Sequence, residues 1–425
     1  MWKNHPRGLV VLFFTEMWER FGFYTVLAIL ALYMDEHFKM PKGVSGNVYG
    51  IFVAFVYFTP MFGGLVADRW LGYSRSIVAG AVALALGYFV LAVDNMTAFY
   101  AALVIIVVGN GFFKPNISTM LGNLYGDHNP MKDSGFNIFY MGINIGAFFA
   151  PMAAAFFRNS LGWGWAFACA GVGMLVSAAI FLLFREHLRD VTHAKRHGTA
   201  GFAKLTPRQE RNRILALIVV FVIVVFFWMA FYQNGFTLTF WARDCTNTSL
   251  SPELFQSANP LFVVAFTPIL VWLWGRMRRA KKEPTTTGKI LIGMMLTALA
   301  YLTMMAAGLA GGDSGRVSVM WLVSSYAIIT LGELCLSPMG LSLVSNMSPP
   351  RMRGLMMGGW FAASAVGSYL SGFLGSYWER MPHSSFFGIL VITSLVAVVL
   401  LALVMRRVNR AMEVAPELEI GRAHV

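Results

Sequence analysis

Glu16, Glu19 and Arg20 stand inside a long apolar run, at a spacing of i, i+3 and i+4 that puts all three on one face of a helix. Tyr24 lies one turn further along the same face. Charges in hydrocarbon cost several kcal/mol each unless they pair or face water, so such a cluster marks a polar pathway. Arg20 could hold an anion there, and either carboxylate could carry a proton. Lys114 precedes Pro115 in a second apolar run, which sets a cation beside a backbone carbonyl freed by the proline. It either lines the pathway or snorkels to the membrane surface. Tyr140 and Asn144, at i and i+4, share a face opposite Gly142 and Gly146. They suit a peptide or carboxylate ligand, and equally a hydrogen bond between helices. Glu333 is the lone carboxylate in the apolar spans of the C-terminal half, with Ser337 one turn on and Pro338 loosening the helix. It is a candidate proton carrier, the competing role being a structural bond to a neighbouring helix. Three carboxylates against two cations leave one acid over, which is easiest to accommodate if it is protonated in some state.

The elements that position these residues are membrane helices. Hydrophobic residues make up 57% of the 425 positions, charged residues only 12%, and the mean hydropathy is +0.63. A soluble domain carries roughly 25% charged residues. Apolar runs of bilayer-crossing length recur throughout, and only helices satisfy the backbone over such runs in lipid. Twelve spans are expected, near 7–34, 46–67, 76–94, 98–120, 134–157, 163–184, 214–242, 256–275, 290–310, 317–345, 354–378 and 384–405. With the N-terminus inside, cytoplasmic segments hold 25 of the 33 Lys and Arg and outer loops hold six. Positive charge favours the inside, so both termini are expected in the cytoplasm and the protein in the cytoplasmic membrane.

The net charge of +13 is therefore a topology signal. Clusters such as Arg276, Arg278, Arg279, Lys281 and Lys282 are expected to meet anionic lipid headgroups, and no extramembrane domain exists to bind nucleic acid. Cys169, Cys245 and Cys335 are scattered and imply no disulfide framework. The first span follows Met1 closely with no cleavage site, so no removable signal peptide is expected. None of the eight His residues falls in mid-span, and no His/Cys ligand spacing occurs within the spans. An enzyme is not expected, nor a metal or organic cofactor.

Six spans precede residue 185 and six follow residue 213. This gives an N-terminal bundle (1–184), a basic linker (185–213), a C-terminal bundle (214–407) and a charged tail (408–425) expected to be mobile. The linker carries Arg185, Arg189, Lys195, Arg196, Lys204, Arg208, Arg211 and Arg213. This is the plan of a major-facilitator transporter, an all-α polytopic fold of two six-helix halves with the substrate between them. The segment from Gly64 to Arg75 resembles that superfamily's loop signature. There Asp68 and Arg69 either tie helix ends together in one state or form a solvated ion pair.

Four motifs in order, Glu16-x-x-Glu19-Arg20, Phe113-Lys114-Pro115-Asn116, Phe139-Tyr140-Met141-Gly142-Ile143-Asn144 and Gly332-Glu333-Leu334-Cys335-Leu336-Ser337-Pro338, closely resemble signatures of the proton-dependent oligopeptide transporters. The resemblance implies a proton symporter importing di- and tripeptides by alternating access, with protons as the coupling ion. Arg20 and Lys114 would engage the peptide carboxylate, and Glu333 its amino group. Glu16, Glu19, Arg20, Lys114 and Glu333 would form the proton-linked set. Tyr24, Tyr140, Asn144, Asn259 and Ser337 would be polar lining, and Trp360 either an aromatic wall or plain helix packing. A monomer is expected.

Two positions depart from the family. Its usual second Arg, seven residues after the first, is Leu27, and its usual Phe-Glu-Gln is Phe231-Tyr232-Gln233. In relatives the two charged residues can pair across the halves on the outer side. Their joint loss leaves no unpaired buried charge but removes an outer latch. Many bacterial relatives also carry two extra helices between the halves, which this linker cannot hold. A relative that moves another small anion or amphipathic solute is the alternative, and a channel a further one.

Overall fold

A computed structural model describes residues 5–125, 131–191, 206–313, 315–349 and 352–413. The linker positions Lys195, Arg196 and Lys204 and the tail from residue 414 lie outside the described residues. The first half consists of α1 (Arg7–Leu32), α2 (Lys42–Phe58), α3 (Pro60–Val66), α4 (Tyr73–Leu91), α5 (Met96–Tyr125), α6 (Lys132–Leu161) and α7 (Trp163–Leu183). The second consists of α8 (Pro207–Phe231), α9 (Thr237–Asp244), α10 (Ala258–Arg279), α11 (Thr286–Ala310), α12 (Val319–Met347), α13 (Arg353–Gly375) and α14 (His383–Glu413). A parallel pair of two-residue strands, β1 (Thr246–Asn247) and β2 (Val317–Ser318), joins two loops.

Among the described residues these helices make twelve spans, because α2 with α3 and α8 with α9 each form one broken crossing. Ten are long and apolar enough to cross a bilayer by length and composition alone. The other two are α1, which holds Glu16, Glu19 and Arg20, and α13, whose Gly and Ser content dilutes its apolar residues. Large side chains such as Leu183, Val271 and Leu403 stand exposed around the bundle. That pattern is a liability in water and the right match for lipid tails. An even number of crossings puts the two chain ends on one face with the linker, here called the linker face.

Within the first half α1 packs on α6 and α7, and α4 on α5; within the second α11 packs on α12 and α14. The halves meet through α2 with α13 and α6 with α10. The α2–α13 contact is backbone on backbone, since a Cβ at Gly46 would sit 2.6 Å from the Gly372 carbonyl oxygen. Only small residues allow such an approach.

Three boundaries differ from the sequence reading. The seventh span is not one helix: α8 stops at Phe231, a 3-10 turn covers Tyr232–Gly235, and α9 follows. Gly235 stands where the Tyr49 hydroxyl would overlap any Cβ. The linker is shorter than 185–213, because α8 already begins at Pro207 behind a Thr206–Gln209 capping box. The last helix runs to Glu413, so residues 408–413 are helical rather than tail. At the loop signature, Asp68 hydrogen-bonds Tyr73, and neither Asp68 nor Arg69 makes an ion pair among the described residues.

Candidate functional site

A cavity of about 320 Å³ lies between the halves, lined from α1, α2, α5 and α6 on one side and α8, α10, α12 and α13 on the other. Its charges are Glu16, Arg20 and Lys114 from the first half and Glu333 from the second. Helical pitch brings Arg20 back onto its own acids. Its guanidinium grips Glu19 through both oxygens, with Nη2 donating to Oε1 at 2.5 Å, and its Nε lies 3.4 Å from Glu16 Oε1. Nη2 also donates to Asn110 Oδ1 at 3.3 Å, and Asn110 donates in turn to the Val56 carbonyl at 2.8 Å. Glu19 therefore sits fully buried behind Arg20 and away from the cavity lining, whereas Glu16 reaches it. The second Glu16 oxygen is buried without a hydrogen-bond partner among the described residues.

Lys114 does not snorkel. It faces the cavity, with its ammonium over the Tyr57 ring at 4.7 Å and no carboxylate in ion-pair range among the described residues. Glu333 accepts a 2.8 Å hydrogen bond from Asn259, which also donates to Thr330 Oγ1 at 3.0 Å. That bond ties α10 to α12 and leaves Glu333 without a cationic partner among the described residues. Ser337 lines the cavity one turn on, and its buried hydroxyl has no hydrogen-bond partner among the described residues. Tyr24, Tyr140 and Asn144 line it as well. Asn144 donates to the Tyr140 carbonyl of its own helix at 2.9 Å. Trp360 lines the cavity while its ring edge occupies the gap beside Gly340. All the candidate residues except Glu19 thus meet in one space.

A family model described as the POT family matches residues 74–206 and 188–389. The chain belongs to the POT family. It is 33% identical to a peptide transporter of Yersinia enterocolitica over 88% of both chains. It is 29% identical to a di-/tripeptide transporter of Lactococcus lactis over 96% of this chain and 97% of that one. A solved POT family transporter in complex with a thioalcohol-conjugated peptide superposes with a TM-score of 0.87 at 26% identity, covering 97% and 98% of the two chains. The major-facilitator fold and a place among the membrane transporters follow from these matches.

Several lining residues escaped the sequence reading. Six of the 14 tyrosines line the cavity, Tyr49, Tyr57, Tyr232 and Tyr326 in addition to Tyr24 and Tyr140. Tyr49 and Tyr57 are eight residues apart, about two turns, so their shared face was a usable signal. Trp228, Gln256 and Ser364 carried none. Leu27 and Tyr232, the two departures from the POT pattern, both line the cavity. The Tyr232 hydroxyl bonds Ser364 Oγ at 2.9 Å.

The face opposite the linker is held shut by other pairs. Arg243 at the end of α9 donates to Asp35 at 2.6 Å and Glu36 at 3.1 Å, just beyond α1. Lys42 also pairs with Asp35, and Arg158 on α6 lies 3.2 Å from Glu253. Asn159 donates to Ser251, and Ser257 to the Phe148 carbonyl. Burial alone would push the Asp35 carboxyl up, but hydrogen bonds from Lys42 and Arg243 hold it below its ordinary value. These pairs join the halves on this face without any contribution from Leu27 or Tyr232.

Proposed function

We propose that this POT family member imports di- and tripeptides together with protons across the cytoplasmic membrane, with the linker face in the cytoplasm. One observation carries the reading. A cation from one half, Lys114, and a carboxylate from the other, Glu333, face a shared cavity and have no opposite charge of their own among the described residues. A zwitterion supplies both missing partners. Its carboxylate would meet Lys114, with Arg20 behind, and its amino group Glu333. The volume of about 320 Å³ sits at the low end of the roughly 300–1,000 Å³ usual for small-ligand sites.

Two poles on two halves also supply the coupling. A bound peptide neutralises both and draws the halves together. An empty cavity leaves Glu333 and Glu16 as buried acids that stay in hydrocarbon at least cost when one of them is protonated. Each charge carried inward through the full field gains about 2.3 kcal/mol per 100 mV. Glu19 acts through Arg20, which it holds in place. No cofactor beyond the proton is needed, lipid headgroups would meet the basic linker face, and the monomer is the working unit. With the opposite face latched, this state is closed to the outside.

The names of the relatives support a peptide substrate. A second reading, a different small anion or amphipathic solute, draws on the neutral Leu27 and Tyr232 in the lining. Uptake of labelled dialanine into proteoliposomes, with an inward proton gradient and negative interior, tests both. Accumulation that an ionophore abolishes supports peptide symport. Folded protein that neither accumulates nor exchanges dialanine would overturn it in favour of the other solute class.

A further inference from the structure

One wall of the cavity is built from rings. Tyr232 stacks on Trp228 at 5.6 Å and 23°, meets Phe231 edge-on at 5.8 Å, and faces Tyr57 at 5.4 Å. Its hydroxyl is taken by Ser364 and Tyr57, so it presents its ring to the cavity. Trp228 Nε1 is buried without a hydrogen-bond partner among the described residues. Leu27 lines the same cavity from α1 and adds only methyl groups. The two carboxylates of the lining, Glu16 and Glu333, are already engaged: Glu16 lies beside Arg20 and Glu333 accepts from Asn259.

A cationic side chain placed against this wall would be stripped of water while Arg20 holds Glu16 and the peptide amino group takes Glu333, which is costly. Ring faces can attract cations, but the Tyr57 face already carries the Lys114 ammonium at 4.7 Å, and a second positive charge beside it is repelled. A large neutral side chain meets neither penalty and gains ring contact.

Resting on the peptide reading above, we infer that Tyr232 is a specificity-determining residue. It makes this wall the seat of large neutral peptide side chains and turns cationic ones away. The test is competition against labelled dialanine uptake by Ala-Phe, Ala-Leu and Ala-Lys. In the wild type Ala-Lys should need at least about ten-fold more peptide than Ala-Phe for half-inhibition, the scale on which pocket contacts discriminate. Tyr232→Glu should shrink that ratio by about ten-fold, because a carboxylate now faces the incoming ammonium. Tyr232→Phe, which keeps the ring and loses the hydroxyl's bonds to Ser364 and Tyr57, should keep the wild-type ratio.

Equal half-inhibition by Ala-Lys and Ala-Phe in the wild type overturns the proposal while leaving peptide transport intact. So does an unchanged ratio in an active Tyr232→Glu protein or a lost one in Tyr232→Phe. If the Glu variant is inactive, the wild-type and Phe ratios decide. Failure of the wild type to take up any dipeptide sinks the peptide reading, and this inference with it.

Discussion

Lys114→Gln should weaken substrate binding severely while leaving the fold at least as stable as the wild type. Lys114 Nζ has no carboxylate partner among the described residues, and its one recorded contact is the Tyr57 ring at 4.7 Å. A cation–π contact of this kind is worth about 0.5–2 kcal/mol. Against it stands the cost of holding an ammonium out of bulk water without a counter-ion, which is of several kcal/mol. Removing the charge therefore gains at least as much as it loses in the empty protein.

In the loaded protein the balance reverses, because the peptide carboxylate is the missing partner. Truncating one member of a desolvated charge pair costs about 2–5 kcal/mol. At 1.4 kcal/mol per factor of ten, that is roughly a 30- to 4,000-fold rise in Kd. Dialanine binding to purified protein by calorimetry, with a melting curve on the same sample, reads both halves of the prediction. A Kd within three-fold of the wild type would refute the placing of the peptide carboxylate. A melting temperature several degrees lower would show that Lys114 is structural.

Arg20→Ala should behave in the opposite way. It strips Glu19 and Glu16 of their cation in a buried site, and breaking such a pair costs about 3–5 kcal/mol, so a large drop in melting temperature is expected. An unchanged melting temperature would contradict the geometry. Glu333→Gln should abolish proton-driven dialanine accumulation while counterflow exchange survives, and undiminished driven uptake would remove Glu333 from coupling. Asp35→Asn should loosen the face opposite the linker, raising the labelling rate of a cysteine placed at Leu27 by about two- to five-fold, the worth of one partly exposed ion pair. The sign with pH follows from the depressed Asp35 carboxyl. Its share of the latch is complete above the ordinary carboxylate value of about 3.9 and is lost only as pH falls through the lower value of the closed state. Labelling of wild-type protein that rises between pH 7 and 5 because Asp35 is released would contradict this.

How far the site was legible depended on which residues violate their surroundings. Glu16, Arg20, Lys114 and Glu333 are conspicuous because a charge in an apolar run is costly, and each of them reaches the cavity. Aromatic side chains give no such signal. Tyr57, Trp228 and Tyr326 are as natural in a packed helix as in a binding wall, and only the meeting of α2, α8 and α12 around one space separates the two. The orientation of Glu19 was hidden for a related reason. Spacing placed it on the face of Glu16 and Arg20, but an i, i+1 neighbour can be gripped by the guanidinium from behind, and the turn of α1 that carries it looks into the first half. The helices themselves were legible wherever hydropathy alone decides. The break at Tyr232–Gly235 was not, since it depends on Tyr49 pressing on Gly235 from the other half.

The same reasoning explains why two neutral replacements could be read correctly as a pair yet mislead about the gate. Leu27 and Tyr232 are mutually consistent, and from them an unlatched outer face follows. Asp35, Glu36 and Arg243 lie just past the span ends, where charge is unremarkable, and nothing in their spacing says that α1 and α9 end beside each other. The pairs that join the halves on this face lie at the rim rather than in the cavity. The cavity wall at Tyr232 carries neither charge of the family's pair, and so is available for selecting among substrates.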